Sequence, residues 1–202
     1  FEMMDPSDAS LFTSFLQELK TYLGPDKTLS VAVFARTGKE TWSTPYQYQK
    51  IGEIADKVVV MAYDYSYANS QPGPIAPLWW VKDVTKYMVS NIPREKILLG
   101  MPTYGYNWSS GSKTVTVTAK GLAEIEDKYR VQKFFDQNSM SPYCIYYDEK
   151  GSRHEIWMEN EQSLSEKFNV ALENQLGGIS FWRIGNGFDD LYQVLERAVT
   201  SK

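Results

Sequence analysis

The sequence predicts an α/β fold on a parallel sheet, and three observations carry that expectation. Apolar runs of strand length alternate with amphipathic helical stretches, an order that requires right-handed crossovers between parallel strands. The run VVVMAYDY, residues 58–65, leaves an apolar strand into a cluster of hydrogen-bonding side chains, and strand ends of that kind are where α/β barrels hold their functional groups. Taken alone, the run reads equally as a core strand that ends in a polar turn. Finally, 202 residues of which 43% are hydrophobic can bury a sizeable core as one domain or a large piece of one.

In chain order, residues 8–23 place Leu11, Phe12, Phe15, Leu16, Leu19 and Leu23 on one helical stripe facing the core, with Ser7 or Asp8 to cap its start and Gly24 its end. TLSVAVFA (28–35) reads as a buried strand and 45–54 as a short helix. Residues 57–63 read as a strand in which Val58, Val59 and Val60 are buried on both faces. A helix over 77–91 carries Leu78, Val81, Val84, Tyr87 and Met88; KILLGMP (96–102) is a third strand and GGISFW (177–182) a fourth. A last helix near 188–200 has Leu191, Val194, Leu195 and Ala198 on one face. The long stretch between the third and fourth strands breaks this rhythm. There TVTVT (114–118), PYCIYYD (142–148) and RHEIWM (153–158) look extended, DEKG (148–151) reads as a hairpin turn, and a helix is expected near 119–129. The expectation is a small antiparallel insertion over 112–158 that walls one side of a cleft. SQPGP (70–74) reads as a surface loop.

Charge and motif content narrow the function. Lys and Arg total 21 against 25 Asp and Glu, a formal charge of −4, with no basic block to track phosphates, so nucleic acid is not an expected partner. No apolar run reaches the roughly 18 residues of a membrane span, and no signal peptide is visible, although a chain that begins at Phe1 without methionine leaves the compartment open. Cys144 is the single cysteine and reads as a half-buried strand residue. His154, the single histidine, lies in the insertion hairpin and reads as a surface or structural residue, so no metal is expected. Neither GxGxxG nor GxxxxGK[ST] is present to cradle a phosphate.

The strand ends are the informative positions. The second strand supplies Met61, Tyr63 and Asp64, the third Tyr104, Tyr106 and Trp108, and the fourth Trp182 and Arg183. On one face of a parallel barrel these put aromatic rings and a carboxylate around one cavity. Aromatic rings with a few polar groups suit a sugar, whose C–H face is apolar and whose rim is hydroxyls.

MAYDY (61–65), LLGMPTYGYNW (98–108) and GGISFW (177–182) in this order and spacing resemble the sixth, seventh and eighth strands of glycoside hydrolase family 18, the chitinase-like barrels, across essentially the whole chain. SPYCIYYDEKGSRHEIWMEN (141–160) is similar to the bacterial spore-cortex type of N-acetylglucosaminidase, which often carries LysM repeats upstream. The resemblance implies a (β/α)8 TIM barrel of which residues 1–202 are the C-terminal portion, strands five to eight, with a small α+β insertion after strand seven. Phe1-Glu2 fits the last two positions of the family's Asp-x-x-Asp-x-Asp-x-Glu motif, so the resemblance makes Glu2 the catalytic acid and puts the Asp residues before Phe1.

The implied chemistry is substrate-assisted hydrolysis with retention, outside the two-carboxylate scheme. Glu2 serves as acid and then base, Tyr63 and Asp64 hold the acetamido group of the sugar, and Trp182 forms the floor under its ring. Met61 and Tyr104 line the same pocket. Tyr106 stands where many chitinases have Arg, which puts a salt-bridge role there in doubt. The implied partner is an N-acetylglucosamine-containing polysaccharide, chitin or peptidoglycan, without cofactor or membrane, in a secreted, cell-envelope or spore setting. A lectin-like barrel without catalysis and an inactive fragment with unpaired strand edges are the alternatives.

Overall fold

A computed structural model describes residue 2, residues 4–188, residues 191–193 and residues 195–196. In chain order the elements are α1 (Ala9–Leu23), β1 (Ser30–Phe34), α2 (Tyr48–Ile54), β2 (Lys57–Met61), α3 (Leu78–Val89), β3 (Ile97–Pro102), β4 (Gly105–Ser109), β5 (Val115–Val117), α4 (Ala119–Lys128), β6 (Gln132–Asp136), β7 (Ser141–Tyr147), β8 (Arg153–Met158), α5 (Glu161–Glu173) and β9 (Gly178–Trp182). They fall into two compact units, one of Phe1–Ala62, Lys82–Gly100 and Val170–Ser180, the other of Tyr63–Val81, Met101–Asn169 and Phe181–Lys202. The last predicted helix lies partly outside the described residues, among them Val194 and Ala198; residues 191–193 and 195–196 are helical.

The first unit is organised by an open four-stranded sheet in the order β1-β2-β3-β9, with β2 parallel to both β1 and β3. Register aligns Val31 with Val58 and Ile97, and Val33 with Val60 and Leu99, and all six side chains are buried. Alternation sends Ala32, Val59 and Leu98 to the opposite face, where Ala32 is exposed and the other two are half-buried. The strand at 57–61 is therefore buried on one face rather than two.

Helix α1 differs from expectation at its start and in its stripe. Pro6, with its φ already helical, opens a 3-10 turn over Pro6–Asp8, so the cap moves upstream to Asp5, whose carboxylate accepts from the Ser7 amide at 2.8 Å. Ser7 and Asp8 do not cap the helix in this way. Gly24 ends it at φ 71°, its N–H donating to the Lys20 carbonyl. Phe12 and Leu16 are buried, but Leu11 is 69% and Phe15 41% exposed, because one position along a helix turns a side chain about 100° away from the packed face.

The second unit contains a five-stranded antiparallel sheet, β5-β4-β8-β7-β6. On one of its faces Leu122 and Ile125 of α4 pack against buried Val117, Cys144, Tyr146 and Ile156. Thr118 caps α4 through its hydroxyl, which accepts from the Gly121 amide. The β7–β8 hairpin closes as the sequence predicts: Asp148 accepts from the Lys150 and Ser152 amides, and Gly151 adopts φ 79°. Cys144 is fully buried rather than half-buried, and burial pushes its thiol up to about 11. His154 is structural: its Nδ1 lies 3.0 Å from Asn107 Oδ1 and its ring stacks on Tyr146 at 4.4 Å. Strands β4 and β6 and helix α5 were not expected from the sequence. A buried ion pair ties the last of these to the unit, with Lys167 Nζ 2.6 Å from Glu159 Oε2.

Candidate active site

The site of the second unit is assembled on Asp64, three residues past the end of β2. Asp64 takes the left-handed conformation, φ 60°, which a short polar side chain tolerates better than most. The loop that follows is fastened at once, the Tyr65 amide donating to the Ile75 carbonyl and the Ser66 amide to that of Pro74. This turn aims the Asp64 carboxylate at β4. There Tyr104, just before the strand, and Tyr106 within it are two residues apart and so project to the same side. Both hydroxyls donate to the same oxygen, Asp64 Oδ1, at 2.5 and 3.1 Å.

Gly105 between them faces β8 at such close range that a Cβ would stand 2.0 Å from the Trp157 carbonyl oxygen. Only glycine allows this approach, and it puts Gly105 opposite Met158 and Tyr106 opposite Trp157. The third predicted strand end is thus the start of an antiparallel strand, because the chain turns out of the parallel sheet after Pro102 to pair with β5 and β8.

Aromatic edges surround the carboxylate. Tyr63 meets Tyr104 at 6.3 Å, Tyr104 meets Tyr106 at 5.7 Å and Tyr106 meets Trp108 at 5.6 Å, all edge-to-face. Behind them Ile75, Tyr104, Trp108 and Trp157 form a buried cluster. Asp64 is open to solvent at the rim, yet withdrawal from water by this wall pushes its carboxyl above the ordinary range, against the lowering effect of the two tyrosine hydroxyls. Burial, and then the neighbouring Asp64 charge, pushes the Tyr106 hydroxyl up to about 12 and the Tyr104 hydroxyl higher still. The two phenols therefore stay protonated donors and Asp64 the acceptor.

Trp182, at the end of β9, exposes 58% of its surface. Its backbone is fixed beside the same tyrosines by Thr103, whose amide donates to the Trp182 carbonyl at 2.9 Å and whose hydroxyl donates to the Arg183 carbonyl at 2.5 Å. The intervening peptide is cis. Asn186 completes the latch by donating to the Thr103 carbonyl at 3.2 Å. Thr103 and Asn186 were not singled out from the sequence, where small polar residues beside MPTYG and in RIGNG give little signal.

Tyr63, Asp64, Tyr104, Tyr106, Trp108 and Trp182 all belong to the second unit, whereas Glu2 and Met61 belong to the first. Glu2 is exposed, and its charge, after burial, helps push the Tyr46 hydroxyl up. Met61 is half-buried at the end of β2. Among the described residues no group of three or more His, Cys, Asp or Glu side chains is placed to hold a metal ion.

Comparison with known proteins matches residues 1–187 to the Glycosyl hydrolases family 18 profile. A cortical fragment-lytic enzyme of Bacillus anthracis is 34% identical over 96% of this chain and 47% of its own length. The crystal structure of the Bacillus cereus spore cortex-lytic enzyme SleL superposes with a TM-score of 0.90 at 32% identity, over 97% of this chain and 47% of that one. That of a chitinase from Chromobacterium violaceum gives 0.91 at 28% identity, over 100% and 65%. The chain spans about half the length of the curated relatives it matches. Its four-stranded sheet has the strand count of half a TIM barrel, the fold of these neighbours. With the family profile matched over most of its length and its three strand-end motifs in place, the chain belongs to glycosyl hydrolase family 18.

Proposed function

We propose that the whole protein hydrolyses β-1,4-linked N-acetylglucosamine glycans by a substrate-assisted, retaining route. The observation that carries this reading is Asp64, clamped by Tyr104 and Tyr106 inside an aromatic wall. The substrate supplies the nucleophile. Glu2 donates a proton to the glycosidic oxygen, the acetamido carbonyl oxygen of the sugar bonds to its own anomeric carbon, and the C–O bond to the leaving sugar breaks, giving an oxazolinium ion. Water then opens that ring, with Glu2 taking its proton. Tyr63 holds the acetamido carbonyl in line, Asp64 binds the acetamido group, and Trp182 carries the ring. Met61 and Tyr106 line the pocket. A carboxylate held against this aromatic wall acts on positive charge developing on the acetamido group.

We read residues 1–202 as the C-terminal portion of the catalytic barrel and 112–158 as its insertion. Similarity to cortical fragment-lytic and spore cortex-lytic enzymes favours peptidoglycan of the spore cortex, in a spore or cell-envelope setting, over chitin. The test is Glu2→Gln in the whole protein, which keeps shape and removes the acid; turnover of N-acetylglucosamine oligomers should fall by about a hundredfold or more. Unchanged turnover would sink the assignment.

A further inference from the structure

Trp182 draws little orientation from the packing of its own side chain. It exposes 58% of its surface, and the chain beyond it runs through Arg183, Ile184 and Gly185, all exposed. Gly185 and Gly187 take φ 94° and 68°, and glycines of this kind add no stiffness to a loop. The direction in which the indole points therefore depends on what holds its backbone.

That hold comes from Thr103, which is 1% exposed. Its amide donates to the Trp182 carbonyl at 2.9 Å and its hydroxyl to the Arg183 carbonyl at 2.5 Å. Asn186 Nδ2 lies 3.3 Å from the same hydroxyl and 3.2 Å from the Thr103 carbonyl oxygen. An amide nitrogen only donates and a carbonyl only accepts, so the order of protons is settled: Asn186 Nδ2 donates to Thr103 Oγ1, and Oγ1 donates to the Arg183 carbonyl. The middle of such a chain must both accept and donate, which a hydroxyl does and a methyl of the same size does not. Hydrogen bonds in series also strengthen one another. Thr103 thus spends its amide, its carbonyl and its hydroxyl on the loop that carries Trp182.

The next residue, Tyr104, donates its hydroxyl to Asp64 at 2.5 Å. Adjacent residues therefore hold the floor and the carboxylate, and a single peptide unit sets the spacing between the two holds. We propose that Thr103 is a positioning residue for the reaction: its hydroxyl, with Asn186 behind it, sets the Trp182 indole at the spacing from Asp64 that brings the acetamido oxygen in line with the anomeric carbon. This rests on the glycan-hydrolase reading of the Asp64 site and adds to it a residue too buried to touch the sugar.

The experiment uses the whole protein, unmodified, as Thr103→Val, which keeps shape and removes the hydroxyl, and as Thr103→Ser, which keeps the hydroxyl. Asn186→Asp, whose carboxylate cannot donate, loses the outer bonds alone and decides the matter if Thr103→Val lowers the melting temperature. A misplacement of about 1 Å can cost about a hundredfold in rate, so kcat on a chromogenic N-acetylglucosamine oligomer should fall about 10- to 100-fold in Thr103→Val with KM little changed. It should fall less in Asn186→Asp and largely return in Thr103→Ser. Fluorine NMR of fluorotryptophan-labelled protein reads the indole independently of turnover, the Trp182 resonance being assigned by its loss in Trp182→Phe. That resonance should shift and broaden in Thr103→Val and be restored in Thr103→Ser. The same shift and rescue in a protein that cleaves no oligomer even when unmodified would support the positioning of Trp182 by Thr103 and sink the hydrolase reading. An unmoved resonance with unchanged kinetics, in a protein that cleaves normally, would overturn the positioning role and leave the hydrolase reading intact. A loss that Thr103→Ser does not restore, or a rise in KM alone, would overturn it equally.

Discussion

Tyr104→Phe removes one atom from the site and keeps its packing. The phenyl ring retains its edge contacts with Tyr63 and Tyr106, while the 2.5 Å bond to Asp64 is lost. A hydrogen bond to a charged acceptor in such surroundings is worth about 1.5–3 kcal/mol, so kcat/KM should fall about 10- to 100-fold if Asp64 acts in the transition state. Tyr106→Phe removes the longer, more solvent-exposed bond of 3.1 Å and should cost less. The pH profile separates this from a packing defect. Burial already raises the Asp64 carboxyl and the Tyr104 hydroxyl opposes it; without that hydroxyl the carboxyl rises further. Asp64 is then ionised only at higher pH, and the acid limb of kcat/KM must move upward. The assay is hydrolysis of a chromogenic N-acetylglucosamine oligomer from about pH 4 to about pH 8. An unmoved acid limb, or a Tyr106→Phe effect larger than that of Tyr104→Phe, would refute the reasoning.

Two further outcomes are expected. Under the proposed role of holding the acetamido group during reaction, Tyr63→Phe should lower kcat more than it raises KM in steady-state kinetics; a rise in KM alone would make it a binding group only. Lys167→Met strands the Glu159 carboxylate, both members of that pair being almost wholly buried, and should destabilise the protein by about 3–5 kcal/mol in denaturant titration, with Glu159→Leu added to Lys167→Met restoring much of the loss. A double variant no better than the single would show that the pair does not act as one.

The parallel strands were legible because each is a short apolar run between helical stripes: Val58 to Val60 and Ile97 to Leu99 announce themselves. What escaped notice has physical reasons. Helix α5 repeats buried residues at Leu164, Val170 and Ala171, but Lys167 occupies a core position of the same face, and a charge there masks the stripe until its partner Glu159 is seen. Strand β4 was hidden in a motif that reads as the continuation of β3, since nothing local marks the turn after Pro102. At the site, Tyr63, Asp64, Tyr104, Tyr106 and Trp182 stood out as polar or aromatic residues at the ends of apolar runs. That the two tyrosines share one carboxylate oxygen depends on a strand pairing with residues some fifty positions away, and no local pattern encodes it. Thr103 and Asn186 act by side-chain bonds to the backbone carbonyls of Arg183 and Thr103, partners that a sequence does not display.

The close contact of Gly105 with Trp157 limits how this part of the protein can evolve. The two tyrosines that grip Asp64 flank that glycine, and their position is set by how nearly β4 can lie against β8. Any side chain at 105 forces the strands apart and swings both hydroxyls off the carboxylate. The segment that carries β8 is therefore not freely interchangeable with another hairpin. Trading it for a segment of another protein transplants the strand that sets the position of the two tyrosines, so a chimera keeps the clamp only if the donor's counterpart of β8 brings its carbonyl to the same place. Diversity is free to accumulate at the β7–β8 turn and along β6, away from that contact, while β4 and β8 must change together.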